Sequence, residues 1–262
     1  MSFSNYESLK VECAERVVTI TLNRPDTMNA VTAEMERELI HFFSENTSHP
    51  DFDVVILTGA GRAFSAGGDF EWLQAVIDDP SKFNTVQAKR LIFSLLDFPK
   101  PIIAKLNGHA VGLGATIALF CDVIFAAEHT KIGDPHVNVG FSAGDGGAVI
   151  WPQLIGYARA KEYLMNGDLL TAPDAARIGL INHCLPADQL DAAVAAQAKR
   201  FASGAVQSIS WTKQTINIGL KQAATAIMDA SVAYEALSNH TRDHREAVAA
   251  LREKRKPVFT GK

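Results

Sequence analysis

No apolar run in this 262-residue chain reaches the roughly 20 residues that a helix needs to cross a bilayer. A membrane-bound protein is therefore not expected. Basic excess is also missing. Lys and Arg total 25 against 29 for Asp and Glu, a net charge of -4, which argues against a nucleic-acid binder with a broad positive surface. Cysteine is scarce: Cys13, Cys121 and Cys184 are the only three. They lie far apart and follow no metal-ligand spacing, so they read as reduced thiols and no metal site is expected. The first seven residues lack the basic start and apolar stretch of a secretory signal, so a cytoplasmic location is the expectation. Low-complexity segments and evident repeats are absent as well.

What remains is an ordinary globular composition, 47% hydrophobic and 21% charged, in a chain long enough to bury a sizeable core. Val17 to Leu22, Val54 to Thr58, Ile102 to Leu106 and Val123 to Ala127 are short runs rich in β-branched and apolar residues, and read as strands. Thr32 reads as the N-cap of a helix reaching about Glu45. Ser81 to Leu96 and Leu113 to Phe120 also read as helices. This alternation defines an α/β fold. From about Asp188 the text becomes Ala-rich and helical to Arg255. The expected division is an α/β core over residues 1–190 and a helical region over 191–262.

Two glycine-rich stretches stand out, Gly61-Arg62-Ala63-Phe64-Ser65-Ala66-Gly67-Gly68-Asp69 and Asn107-Gly108-His109-Ala110-Val111-Gly112-Leu113-Gly114-Ala115-Thr116. Each joins a strand-like run to a helix-like one. Glycines there let backbone N–H groups approach a ligand, and a helix N-terminus favours negative charge. Two such donors converging on one point form an oxyanion hole.

These stretches resemble the G-x-A-F-x-A-G-x-D and N-G-x-A-x-G-G-G segments of the enoyl-CoA hydratase/isomerase, or crotonase, superfamily. Leu22-Asn23-Arg24-Pro25 with Met28-Asn29-Ala30, Cys121-Asp122, Gly167-Asp168 through Gly179-Leu180, and the tail Glu253 to Phe259 fit the same family in order. The resemblance implies a spiral of β-β-α units with a C-terminal helical trimerisation region, assembled as a homotrimer or dimer of trimers. It implies an acyl-CoA substrate, coenzyme A being part of that substrate, with no permanently bound cofactor. The oxyanion donors fall on the N–H groups of Gly68 and Leu113, where the family usually has glycine at the second place. Arg24, Ala66 and Gly67 fall on the CoA-binding side, with Phe259 of a neighbouring subunit closing the pocket. A lysine frequent after the Asp69 position is replaced by Phe70-Glu71-Trp72.

The chain departs from the family at the reacting centre. The two glutamates of a family hydratase fall on Thr116 and His136. A threonine hydroxyl cannot replace a carboxylate as base, so the ordinary hydration mechanism does not transfer. His136, whose type titrates near 6.5, and Asp145 form the expected catalytic pair. Pro135-His136, Gly144-Asp145-Gly146 and Val149 to Pro152 are also similar to 6-oxocamphor hydrolase, a C–C-cleaving family member. Hydration, double-bond isomerisation and hydrolytic C–C cleavage all remain open at this point. So do a CoA-independent β-diketone hydrolase and a catalytically silent scaffold. Blander roles compete at single positions. Asp145 could cap a helix near Gly147, Asp69 a helix after the first glycine stretch, and Thr116 could merely pack or hydrogen-bond. His109 reads as structural, Trp72 and Trp151 as walls, and His240 and His244 as surface residues.

Overall fold

The computed structural model describes residue 3 and residues 6–262. The reading of the first seven residues as no secretory signal falls partly on residues 1, 2, 4 and 5, outside the described ones. The chain opens with a hairpin, β1 (Leu9–Ala14) and β2 (Val17–Leu22), followed by helix α1 (Ala33–Glu45). Thr32 caps α1 by accepting a hydrogen bond from the Met35 N–H. A three-fold pattern follows. Strand β3 (Val54–Gly59) leads to the short β4 (Ala63–Ser65) and then to α2 (Phe70–Asp78) and α3 (Thr85–Asp97). Strand β5 (Ile102–Leu106) leads to β6 (His109–Val111) and α4 (Leu113–Leu119). Strand β7 (Val123–Ala127) leads to β8 (Lys131–Gly133), a 3-10 turn over His136–Val139, and α5 (Gly147–Asn166), which is broken at Gly156.

Each of these passes adds one strand to each of two sheets. The larger sheet runs β1-β2-β3-β5-β7 and ends with β10 (His183–Leu185); the smaller runs β4-β6-β8 and ends with β9 (Leu169–Thr171). Between β2 and β10 the large sheet is parallel, each strand being reached by a crossover connection. The pattern is the crotonase spiral of β-β-α turns that the sequence led one to expect. Its glycine loops lie where β4 and β6 end and helices begin.

Four helices complete the described chain: α6 (Ala172–Arg177), α7 (Ala187–Ala202), α8 (Val206–Ser238) and α9 (Arg242–Glu253). The expected division at 190/191 falls inside α7. That helix lays Leu190, Val194 and Ala198 on Val54, Ile103 and Phe125 of the large sheet. The α8 helix is tied to the end of α3 and the α3–β5 connection through Asn217 on Leu96, Ser210 on Pro99 and Lys213 on Lys100, and Lys213 also pairs with Asp122 just before β7. The α9 helix packs Val248 against Leu73 and Phe141.

The reading of His244 as a surface residue is corrected. Its side chain is fully buried; Nδ1 meets the Val139 carbonyl at 2.6 Å and the ring stacks on Phe141 at 4.0 Å. The polar helix face that suggests solvent instead turns toward the 3-10 turn. His240 is exposed, as expected.

Candidate active site

The first glycine loop is built on Asn29. Its amide nitrogen donates to the Ala60 and Ala63 carbonyls, and its amide oxygen accepts from the Arg24 N–H. The Ser65 hydroxyl donates to the Asn29 carbonyl. This explains physically why an asparagine follows the Leu-Asn-Arg-Pro segment: it holds the loop from behind. Asp69 caps α2 by accepting from the Glu71 and Trp72 N–H groups, and pairs with Arg24 at 2.9 Å.

The two glycine loops meet at Gly67 and Gly112. Gly67 has φ +91, and a methyl there would lie 2.8 Å from the Val111 carbonyl oxygen. Any other residue would push the loops apart. Gly68 has open space beside it, and Leu113 is the first residue of α4. Among the described residues no backbone carbonyl accepts the N–H of Gly68 or Leu113. Both residues line one cavity of about 160 Å³, together with Ala66, Gly67, Gly112, His136, Asp145 and Glu235. Its other walls are mostly apolar, among them Val31, Trp72, Leu73, Phe83 and Phe141.

His136 enters from the 3-10 turn with its ring edge toward the second loop. Its Cε1 would lie 3.7 Å from a methyl on Gly112. Nδ1 meets Asp134 Oδ1 in a short contact. On the other side, Nε2 lies 3.4 Å from Asp145 Oδ2 and 4.0 Å from Glu235 Oε1. Thr116 is fully buried and donates to Asp145 Oδ1 at 3.1 Å. A cap-like contact from the Gly147 N–H to Asp145 is weaker, at 3.4 Å. The glycines flanking Asp145 make this crowding feasible. A methyl on Gly144 would lie 2.5 Å from the Glu235 Cβ, and one on Gly147 would lie 2.1 Å from Asp134 Oδ2.

Charge in this cluster is strongly coupled. Three buried carboxyl groups face one imidazole, so full ionisation would leave uncompensated negative charge out of water. Burial disfavours the charged form of His136, but Asp134, Asp145 and Glu235 outweigh it and hold the imidazole well above its usual value. Burial raises Asp145, with His136 pulling the other way. Burial and the Asp145 charge push Glu235 well above the carboxylate range. The charged form of His136 is thus favoured, as are the neutral forms of Asp145 and Glu235, and the coupled groups titrate together. Asp134, His136 and Asp145 also present ligand atoms within 4.8 Å of one another, the donor set a divalent cation would need.

The cavity thus unites Ala66, Gly67, Gly68, Leu113, His136 and Asp145 of the residues singled out in the sequence. Thr116 stands behind Asp145. Arg24 is engaged with Asp69 outside the cavity lining, and Phe259 is 44% exposed on the tail. Asp134, Glu235 and Glu36 were missed. Asp134 sat beside His136 in plain view, and its signal was the two-residue spacing that lets a carboxylate fold back on a ring. Glu235 lies in helical text with no local mark.

A spiral of β-β-α turns with paired glycine loops, opening on a cavity lined by buried titratable side chains, is the architecture of one class of enzyme. The chain belongs to the enoyl-CoA hydratase/isomerase family, which it matches over residues 12–262. It is 37% identical over 251 residues to the enoyl-CoA hydratase/isomerase family protein YngF of Bacillus subtilis, covering 94% of this chain and 95% of that one. It is 31% identical over 260 residues to the crotonyl-CoA hydratase of Syntrophomonas wolfei, covering 98% and 99%. The 1,2-epoxyphenylacetyl-CoA isomerase of Escherichia coli is also 31% identical, over 94% of this chain and 95% of that one. Among solved structures, an enoyl-CoA hydratase/isomerase of Mycobacterium paratuberculosis superposes with a TM-score of 0.90 at 34% identity, covering 94% and 99%. The named relatives include both hydratase and isomerase activities.

Proposed function

We propose that the protein binds an acyl-CoA thioester, stabilises its enolate through the Gly68 and Leu113 N–H groups, and moves protons with His136 and Asp145. The observation that carries this reading is the placement of the His136 ring against Gly112, one residue before the second donor. A proton carrier there stands beside the carbon next to the thioester carbonyl. The enolate forms when the Asp145 carboxylate, its basicity raised by burial, takes a proton from a substrate carbon or from attacking water, and the His136 imidazolium beside it then delivers a proton to the enolate carbon. The Asp145 carboxylate stabilises the imidazolium, with Asp134 fixing the ring from Nδ1 and Thr116 fixing Asp145. Proton donation to an enolate carbon serves isomerisation and hydration alike. General acid–base groups contribute about 10²–10⁴-fold. His136→Ala should lower turnover of an enoyl-CoA by that order while the Michaelis constant changes little. Near-normal turnover would end the reading.

The His136–Asp145 loop also supports a second reading, hydrolytic cleavage of a β-diketone without CoA. Here the same N–H groups would hold the enolate that leaves. Free CoA separates the two. Raising the melting temperature at concentrations above its dissociation constant is expected only under the first reading. A silent scaffold would turn over neither substrate class.

A further inference from the structure

One wall of the cavity has no part in this chemistry. It is formed by α1 and the start of α3, and it carries Thr32, Glu36, Asn84 and Gln87. Glu36 is out of place on a helix face whose neighbours Met35, Leu39 and Phe43 are fully buried. A pocket meant for a plain hydrocarbon would have a methyl-bearing residue there. Instead, Gln87 Nε2 donates to Glu36 Oε2 at 2.7 Å and to the Ala33 carbonyl at 2.9 Å. The amide bridges the two helices and fixes one carboxyl oxygen. The other, Oε1, has no hydrogen-bond partner among the described residues.

We propose that Glu36, held by Gln87, is a recognition point for a hydroxyl group on the acyl chain, so that hydroxylated thioesters are preferred over plain ones. The inference rests on the acyl-CoA reading above and narrows its substrate class. A hydroxyl suits this wall because it both donates and accepts. Burial raises Glu36 to about 7, with the Gln87 hydrogen bond opposing, so both protonation states are present near neutrality. An alcohol satisfies either one, whereas a hydrocarbon chain would strip water from Glu36 and replace it with nothing. The cavity volume of about 160 Å³ is close to the roughly 150 Å³ that holds a benzene ring, so a six-carbon acyl chain is a suitable probe.

The test compares hex-2-enoyl-CoA with 6-hydroxyhex-2-enoyl-CoA as the two probes, for the unaltered enzyme, Glu36→Gln and Glu36→Leu. A hydrogen bond to a partly charged, partly desolvated group supports about a ten- to hundredfold preference in kcat/KM for the hydroxylated probe. Glu36→Gln should keep part of that ratio and Glu36→Leu should abolish or invert it. An equal ratio in all three proteins would overturn the proposal. Titration calorimetry with both thioesters runs alongside. If neither is turned over but the hydroxylated one binds more tightly in a Glu36-dependent way, the subsite stands and the reaction assignment falls. If both bind equally, the subsite falls whatever the turnover.

Discussion

A carboxylate cannot simply be restored at position 116. Thr116 has no exposed surface, and its methyl group lies 2.9 Å from where a methyl on Gly146 would sit. A glutamate there would add a further carboxyl to a cluster already rich in them. Thr116→Glu should destabilise the protein by about 3–5 kcal/mol in urea unfolding and give no gain in hydratase turnover. Glu36 allows a complementary test by pH. Its folded-state pKa is raised from the ordinary range to about 7. Such a group contributes fully below its unfolded value and loses that contribution as pH rises through the folded one. Glu36→Gln should therefore match the parent's melting temperature near pH 4.5 and exceed it at pH 7 and above. A constant difference across that window would contradict the assignment. Legibility at this scale divided by chain distance. His136, Asp145 and Thr116 were visible because they occupy aligned positions. Glu36 and Glu235 were not, because a charged residue on a helix reads as solvated until its neighbours are known.

The elements that position the site are short connections between well-formed strands. Gly67→Ala would meet both the positive φ and the Val111 carbonyl. Strain of that kind costs about 1–3 kcal/mol, and displacing one oxyanion donor lowers turnover by about 10²–10³. Urea unfolding and steady-state rates on one preparation should show both losses. Strands β2, β5 and β7 were legible to the residue, because buried β-branched runs leave little choice of register. Strands β4, β6, β8 and β9 have three residues each and no alternation to read. Their existence depends on pairing across the small sheet. The helix Leu113 to Phe120 ended within a residue of expectation, since glycine before it and Cys121-Asp122 after it mark both ends.

At the scale of the whole molecule, α8 leaves apolar side chains in solvent. Trp211 is 60% exposed, Ile216 70% and Tyr234 66%. We propose that copies of the chain cover them in a trimer or dimer of trimers. Light scattering should then give three or six times the 28.3 kDa of one chain, and a monomer at micromolar concentration would contradict it. The α/β spiral was legible in the motifs. The inward reach of α8 was not, since nothing in Ala-rich helical text says which residue looks into a cavity. That reach has a consequence for folding. Glu235 lies 4.0 Å from the His136 ring although the two are far apart in the chain, so the surroundings of His136 close only once α8 has docked on the α/β core.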